Sequence, residues 1–135
     1  MRFRRRWRFR FQFDTRVHPL DILASRPLAA AIFWLPIFAI AATGYSEVSI
    51  YVRTGVWAGG CLMMALGSLI NAMRCGRLQS YLLTPLFLLG ALASLAYGTG
   101  IWPLGSAGWG LIGYGLLAGL CLVSPLPELF LGRYR

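Results

Sequence analysis

The chain has 135 residues, of which 58% are hydrophobic and only 13% charged, and its formal charge of +9 comes from thirteen arginines, with no lysine, against four acids. Composition of this kind excludes an ordinary soluble globular domain and points to a membrane protein. Eight of the arginines precede residue 27 and only Asp14 and Asp21 offset them there, so residues 1–26 carry +6 and the basic pI describes an arm rather than the body.

Residues 1–26 read as a basic, aromatic cytoplasmic arm and interfacial connector. After the first methionine the chain begins RFRRRWRFRFQF, in which Trp7, Phe9, Phe11 and Phe13 alternate with Arg8, Arg10 and Gln12. A helix would mix these two sets around its circumference, whereas a strand separates them, so an extended arm is predicted. Two roles fit it. The arm can lie along anionic headgroups, where each arginine contributes roughly 1 kcal/mol and aromatic rings suit the interface. Alternatively, it can strap onto a protein partner through aromatic and arginine anchors. Stacking on nucleic acid fits a polytopic membrane protein least, and no nucleic-acid partner is expected. Arg4, Arg6, Trp7, Arg8, Phe9, Arg10, Phe11 and Phe13 are therefore candidate partner or lipid contacts.

The arm does not read as a cleaved signal, because about 26 residues precede the first long apolar run and that run is longer than a signal core. Arg4, Arg5 and Arg6 are not followed by a cleavable apolar segment, so a twin-arginine signal is not expected either. From residue 14 to 25 the chain reads as an interfacial connector, broken at Pro19, with His18 as a loop or headgroup contact.

Four charge-free windows follow at about 28–45, 56–73, 81–97 and 105–123, each apolar over a length suited to crossing hydrocarbon as a helix. The expected fold is thus all-α, a four-helix transmembrane bundle over residues 27–124 with a cytoplasmic interfacial tail at 125–135. Arginine placement sets the orientation. With both termini cytoplasmic, twelve arginines lie inside and Arg53 alone outside, which places the chain as a multi-pass protein of a bacterial inner membrane. Glu47 and Arg53 are expected to form an exposed ion pair or to contact another subunit.

Within the windows, Pro36 is expected to kink the first helix, and Pro85 to sit in the first turn of the third, where proline is tolerated. Gly90, Ser94 and Gly98 recur at intervals of four in the third window, and Gly115 and Gly119 form a GxxxG in the fourth. These are the candidate helix-packing residues, within the bundle or against a neighbour.

Between the second and third windows lies NAMRCGRLQSY, residues 71–81. Gly76 is suited to end one helix and Ser80 to cap the next, while Arg74 and Arg77 suit the negative helix end. The two arginines are also candidates for a phosphate or headgroup contact. This segment, with Thr84 and Pro85, resembles one found in small four-span bacterial membrane proteins of uncharacterised function. Their pattern runs Asn-Ala-x-Arg-Cys-Gly-Arg, then x-His-Cys-Tyr, then a Thr-Gly-Pro-like helix start. The chain matches at Asn71, Ala72, Arg74, Cys75, Gly76, Arg77, Tyr81, Thr84 and Pro85, and departs at Gln79 and Ser80, where the pattern has His and Cys. The resemblance implies a four-span layout and brings no established activity with it. Without that imidazole and second thiol, Cys75 cannot form a soft-metal site by itself.

Cys61 and Cys121 are likewise isolated, so no metal site and no cofactor are expected. One histidine and four peripheral acids supply no nucleophile–base pair, and no window holds the carboxylate of an ion-coupled pump. The chain therefore reads as a non-enzymatic accessory or assembly subunit of a larger membrane complex, whose partners are other integral membrane subunits and anionic lipids. The alternative is a small four-span permease for a metal ion or solute, working as a homo-oligomer, with Cys61, Asn71, Cys75 and Cys121 along its path.

Overall fold

The computed structural model describes residues 26–75 and 78–123, and every regular element among them is helical. The arm at 1–25, the tail at 124–135, Gly76 and Arg77 lie outside the described residues, and so do the expectations placed on them. Four helices follow the chain. The first, α1, is continuous through Arg26–Ala29, a π-helical turn at Ala30–Trp34, and Leu35–Tyr45; then come α2 (Ile50–Cys75), α3 (Leu78–Gly98) and α4 (Gly108–Val123). The stretches Pro27–Tyr45, Ile50–Arg74 and Gln79–Gly98 are each long and apolar enough to cross a membrane. Helices of this length and hydropathy make the chain a membrane protein. The fourth is apolar but shorter. Its 16 residues extend about 24 Å at 1.5 Å each, against roughly 30 Å of hydrocarbon.

Pro36 explains the π turn. A proline at this position cannot donate to the carbonyl of residue 32, and its ring crowds that carbonyl. The helix answers by widening one turn, so that Leu35 N–H reaches Ala30 O, five residues back. Such a turn inserts an extra residue into the helix instead of breaking it. Pro36 itself is fully buried, against the bare backbone of Gly60 on α2.

The centre of the fold is the α2–α3 hairpin, which makes the most extensive helix pairing in the chain. Buried positions on α2 include Thr54, Trp57, Cys61, Met64, Ser68 and Asn71, and those on α3 are Ser80, Thr84, Phe87, Gly90, Ala91 and Ser94. Steps that alternate between three and four keep one narrow seam facing the partner helix, the spacing of left-handed helix pairs. Most seam residues are small, which lets two backbones approach closely in lipid, where packing takes over from the hydrophobic effect. Cys61, Met64, Ala65, Phe87 and Ala91 form the apolar core, with Phe33, Ile40, Leu83, Leu116 and Leu120 packed around it.

Helices α1 and α4 pack on this hairpin from either side. On α1, Ile32 and Ile40 sit over Gly67 and Gly60; on the other side, Leu116 of α4 sits over Gly90 and Leu86 of α3 over Gly119. A Cβ on Gly67, Gly90 or Gly119 would collide with the isoleucine or leucine opposite.

Three boundaries differ from the sequence expectation. Helix α2 starts at Ile50, six residues before the charge-free window, so Arg53 lies in its first turn and not in the connector. Helix α3 starts at Leu78, so Pro85 lies inside it and Ser80 is a buried residue of its first turn instead of its cap. Helix α4 starts at Gly108 and not at 105, because Gly105 takes a left-handed φ of 70°. That conformation suits glycine and interrupts a right-handed helix.

Candidate functional site

The loops at 46–49 and 99–107 lie at the same end of the bundle, and Arg53 organises it. Its Nε donates to Thr43 O at 3.0 Å and its Nη2 to Ser46 O at 2.7 Å. Both acceptors are carbonyls at the end of α1, where no intrahelical donor remains and the helix dipole is negative. The guanidinium also lies 6.0 Å from the ring centroid of Trp109, within cation–π range. Arg53 thus closes α1 rather than pairing with Glu47, as the sequence suggested.

Aromatic rings continue inward from Arg53. Trp109 packs on Trp57 with centroids 5.2 Å apart and on Tyr97 at 5.1 Å, edge to face. The Tyr97 hydroxyl donates to Gly105 O in a short hydrogen bond, and its ring fills the space that a Cβ on Gly108 would need. Gly100, with φ of 77°, ends α3 in the manner of a glycine C-cap: its N–H bonds to Tyr97 O at 3.1 Å, and Trp102 N–H bonds to Ala96 O at 3.0 Å. At the start of α2, Ser49 accepts from Val52 N–H on its side chain and from Arg53 N–H on its carbonyl, at 3.4 and 3.0 Å.

Beneath this cap a cleft of about 410 Å³ opens between α1 and α4. These two helices make almost no direct contact among the described residues. One wall is Ile37, Ala41 and Tyr45; the other is Gly110, Gly113, Tyr114 and Leu117; Trp57, Met64 and Phe87 form the floor. The rim is open, with Tyr45 95% and Tyr114 75% exposed. The Trp57 indole reaches toward both walls, lying 3.5 Å from where a Cβ on Gly44 of α1 would sit and 3.1 Å from where one on Gly113 of α4 would sit. Its Nε1–H is buried and has no hydrogen-bond partner among the described residues. A polar hydrogen left without an acceptor is costly inside a bilayer.

The opposite end carries a polar contact. Asn71 Nδ2 donates to Ser80 Oγ at 3.2 Å between α2 and α3, and both side chains are buried. One turn further along α3, Thr84 returns its hydroxyl to Ser80 O at 2.9 Å, and Ser94 does the same to Gly90 O at 2.8 Å. Such back-bonding satisfies a hydroxyl within its own helix. The hydroxyl of Ser68, also buried, has no partner among the described residues.

The residues singled out from the sequence are distributed as follows. Gly90, Ser94, Gly98 and Gly119 lie at helix contacts inside the chain, Gly98 against Thr54. Gly115 faces open space. Arg74 is exposed in the last turn of α2. Cys61 is buried and Cys121 exposed, and Asn71 is buried on the same helix as Cys61. Among the described residues no cluster of three or more His, Cys, Asp or Glu could hold a metal. Sequence reasoning missed Gly60 and Gly67, seven residues apart and opposite α1, and also Gly55 and Gly59, another GxxxG, with nothing within 4 Å of a Cβ at either. The signal was present in the glycine spacing of α2. No protein-family model, no curated protein and no solved structure matches the chain.

Proposed function

We propose that the chain is a non-catalytic accessory subunit of a larger bacterial inner-membrane complex, crossing the bilayer four times with both termini cytoplasmic. In this reading the short α4 is a fourth span, accommodated by local thinning or by snorkelling of flanking residues.

The observation that supports the reading is the outward glycine pair on α2. Gly55 and Gly59 are exposed one turn apart, with no side chain among the described residues packed over them. A surface that meets only lipid gains nothing from missing side chains, whereas a neighbouring helix gains close backbone approach. A partner subunit's helix is the natural occupant of that groove. Its grip is reinforced by the arginine and aromatic arm on the partner's cytoplasmic surface or on anionic lipid.

The test is gentle extraction of the tagged full chain from its own membrane, followed by native mass spectrometry of what accompanies it. Stoichiometric integral membrane partners are expected, lost on Gly55→Leu with Gly59→Leu and weakened by deletion of residues 2–13. A chain that runs alone, or partners indifferent to both changes, would reject the subunit reading.

A further inference from the structure

We propose that the cleft between α1 and α4 binds one acyl chain of an anionic phospholipid whose phosphate is held at Arg53. The site is independent of the subunit reading, because it lies between α1 and α4 and not at the outward glycine pair.

Size and chemistry select the tail. The cleft measures about 410 Å³, inside the roughly 300–1,000 Å³ range of small-molecule sites. Its lining is almost entirely hydrocarbon and aromatic, so water inside it would lack polar partners. In a bilayer it is filled by hydrocarbon. A protein helix does not fit: at the floor, two neighbouring atoms of the Trp57 ring lie 3.5 Å and 3.1 Å from where Cβ atoms on Gly44 and Gly113 would sit, so the walls there are closer than the roughly 10–12 Å that a helix with its side chains needs. The slot is one chain wide. It also runs lengthwise, since its α1 wall extends from Tyr45 at the loop end to Ile37, about 12 Å along the axis at 1.5 Å per residue.

Charge selects the head. Arg53 lies at the loop end, above Trp109, which itself lines the cleft. A guanidinium has five N–H donors, and the α1 carbonyls take two of them. The rest remain for a phosphate, which accepts such donors in pairs. Glu47 is the one acid among the described residues, and the Arg53 donors that are placed go to backbone carbonyls and not to it. The α1 carbonyls hold the guanidinium in place before the lipid arrives, so little ordering accompanies binding.

The experiment is native mass spectrometry of the delipidated full chain titrated with dioleoyl phosphatidylglycerol, dioleoyl phosphatidylcholine or inorganic phosphate. One saturable phosphatidylglycerol adduct is expected, bound roughly tenfold more tightly than phosphatidylcholine, a factor that corresponds to one net charge-assisted contact. Filling the cleft with Ala41→Phe and Gly110→Leu should abolish the adduct. Both positions are exposed, and at Gly110 a Cβ meets nothing closer than Tyr114 at 4.0 Å. Arg53→Gln should remove the headgroup preference while leaving a weaker adduct for both lipids. Circular dichroism of each variant establishes that the helices persist. Several non-saturating adducts, equal affinity for the two lipids, survival of the adduct in the filled variant, or displacement by inorganic phosphate alone would each overturn the proposal. So would a dimer formed in place of the adduct and lost in the filled variant.

Discussion

Arg53 on α2 donates to the carbonyl of Thr43 on α1 at 3.0 Å, so the second helix supplies the cap that the first helix lacks. The sequence of α1 ends in Thr43-Gly44-Tyr45-Ser46 without a basic residue of its own. Arg53→Ala should therefore loosen the last turn of α1 before it affects anything else. The expected global loss is about 1 kcal/mol, the net worth of an ordinary hydrogen bond, because the group is only half-buried. Hydrogen exchange should quicken at residues 43–49 and stay unchanged in the α2–α3 seam. Equal acceleration throughout would show that the cap is not local.

Asn71 and Ser80 offer a direct measure of a polar contact between helices. Ser80→Ala should cost on the order of 0.6–2 kcal/mol, the span measured for hydrogen bonds between membrane helices. In a double-mutant cycle with Asn71→Leu the effects should be less than additive, as for any pair in contact. Strict additivity in thermal unfolding of the detergent-solubilised protein would mean that the two side chains do not interact.

Gly67 has no room for a methyl group beneath Ile32. Gly67→Ala should destabilise the docking of α1 by about 1–3 kcal/mol, as overpacking does, even though alanine is the better helix former. Ile32→Ala in the same chain should recover most of the loss. Recovery is the decisive readout, because a purely local effect of alanine on α2 would not respond to a change on α1.

The thiols report the burial pattern. In a Cys75→Ser background, maleimide in detergent should modify the exposed Cys121 and spare the buried Cys61. Two labels per chain before denaturation would contradict the α2–α3 core.

The helices were legible because charge is absent over long stretches, a signal that needs no knowledge of neighbours. The α3 stripe of Gly90, Ser94 and Gly98 was legible for a similar reason: regular small residues stand out among leucines. The Gly60 and Gly67 seam was hidden by its setting, since α2 also carries Gly55 and Gly59 on another face and the sequence alone does not say which pair looks inward. Pro36 announced an irregularity but not its form, because widening a turn and breaking it both relieve the same clash. The cleft was not legible at all. Trp57 and Trp109 lie 52 positions apart in the sequence, and their meeting depends on how α4 crosses the hairpin. Ser80 was read as a cap because the helix start was placed three residues too late, and a polar residue at that position gave no sign that it is buried against α2.

Ile32 and Ile40, eight positions apart, drop into gaps at Gly67 and Gly60, seven positions apart, and Ile32 itself lies in the π turn at Ala30–Trp34, where the widened helix takes up the extra residue. This is a key cut for one depth. Sliding α1 by a turn in either direction would pull both isoleucines out of their notches together, so no intermediate position is partly satisfied. Hydropathy alone would let an apolar helix bob up and down by several ångströms at little cost. Here steric indexing against α2 fixes the level of α1 relative to the rest of the bundle.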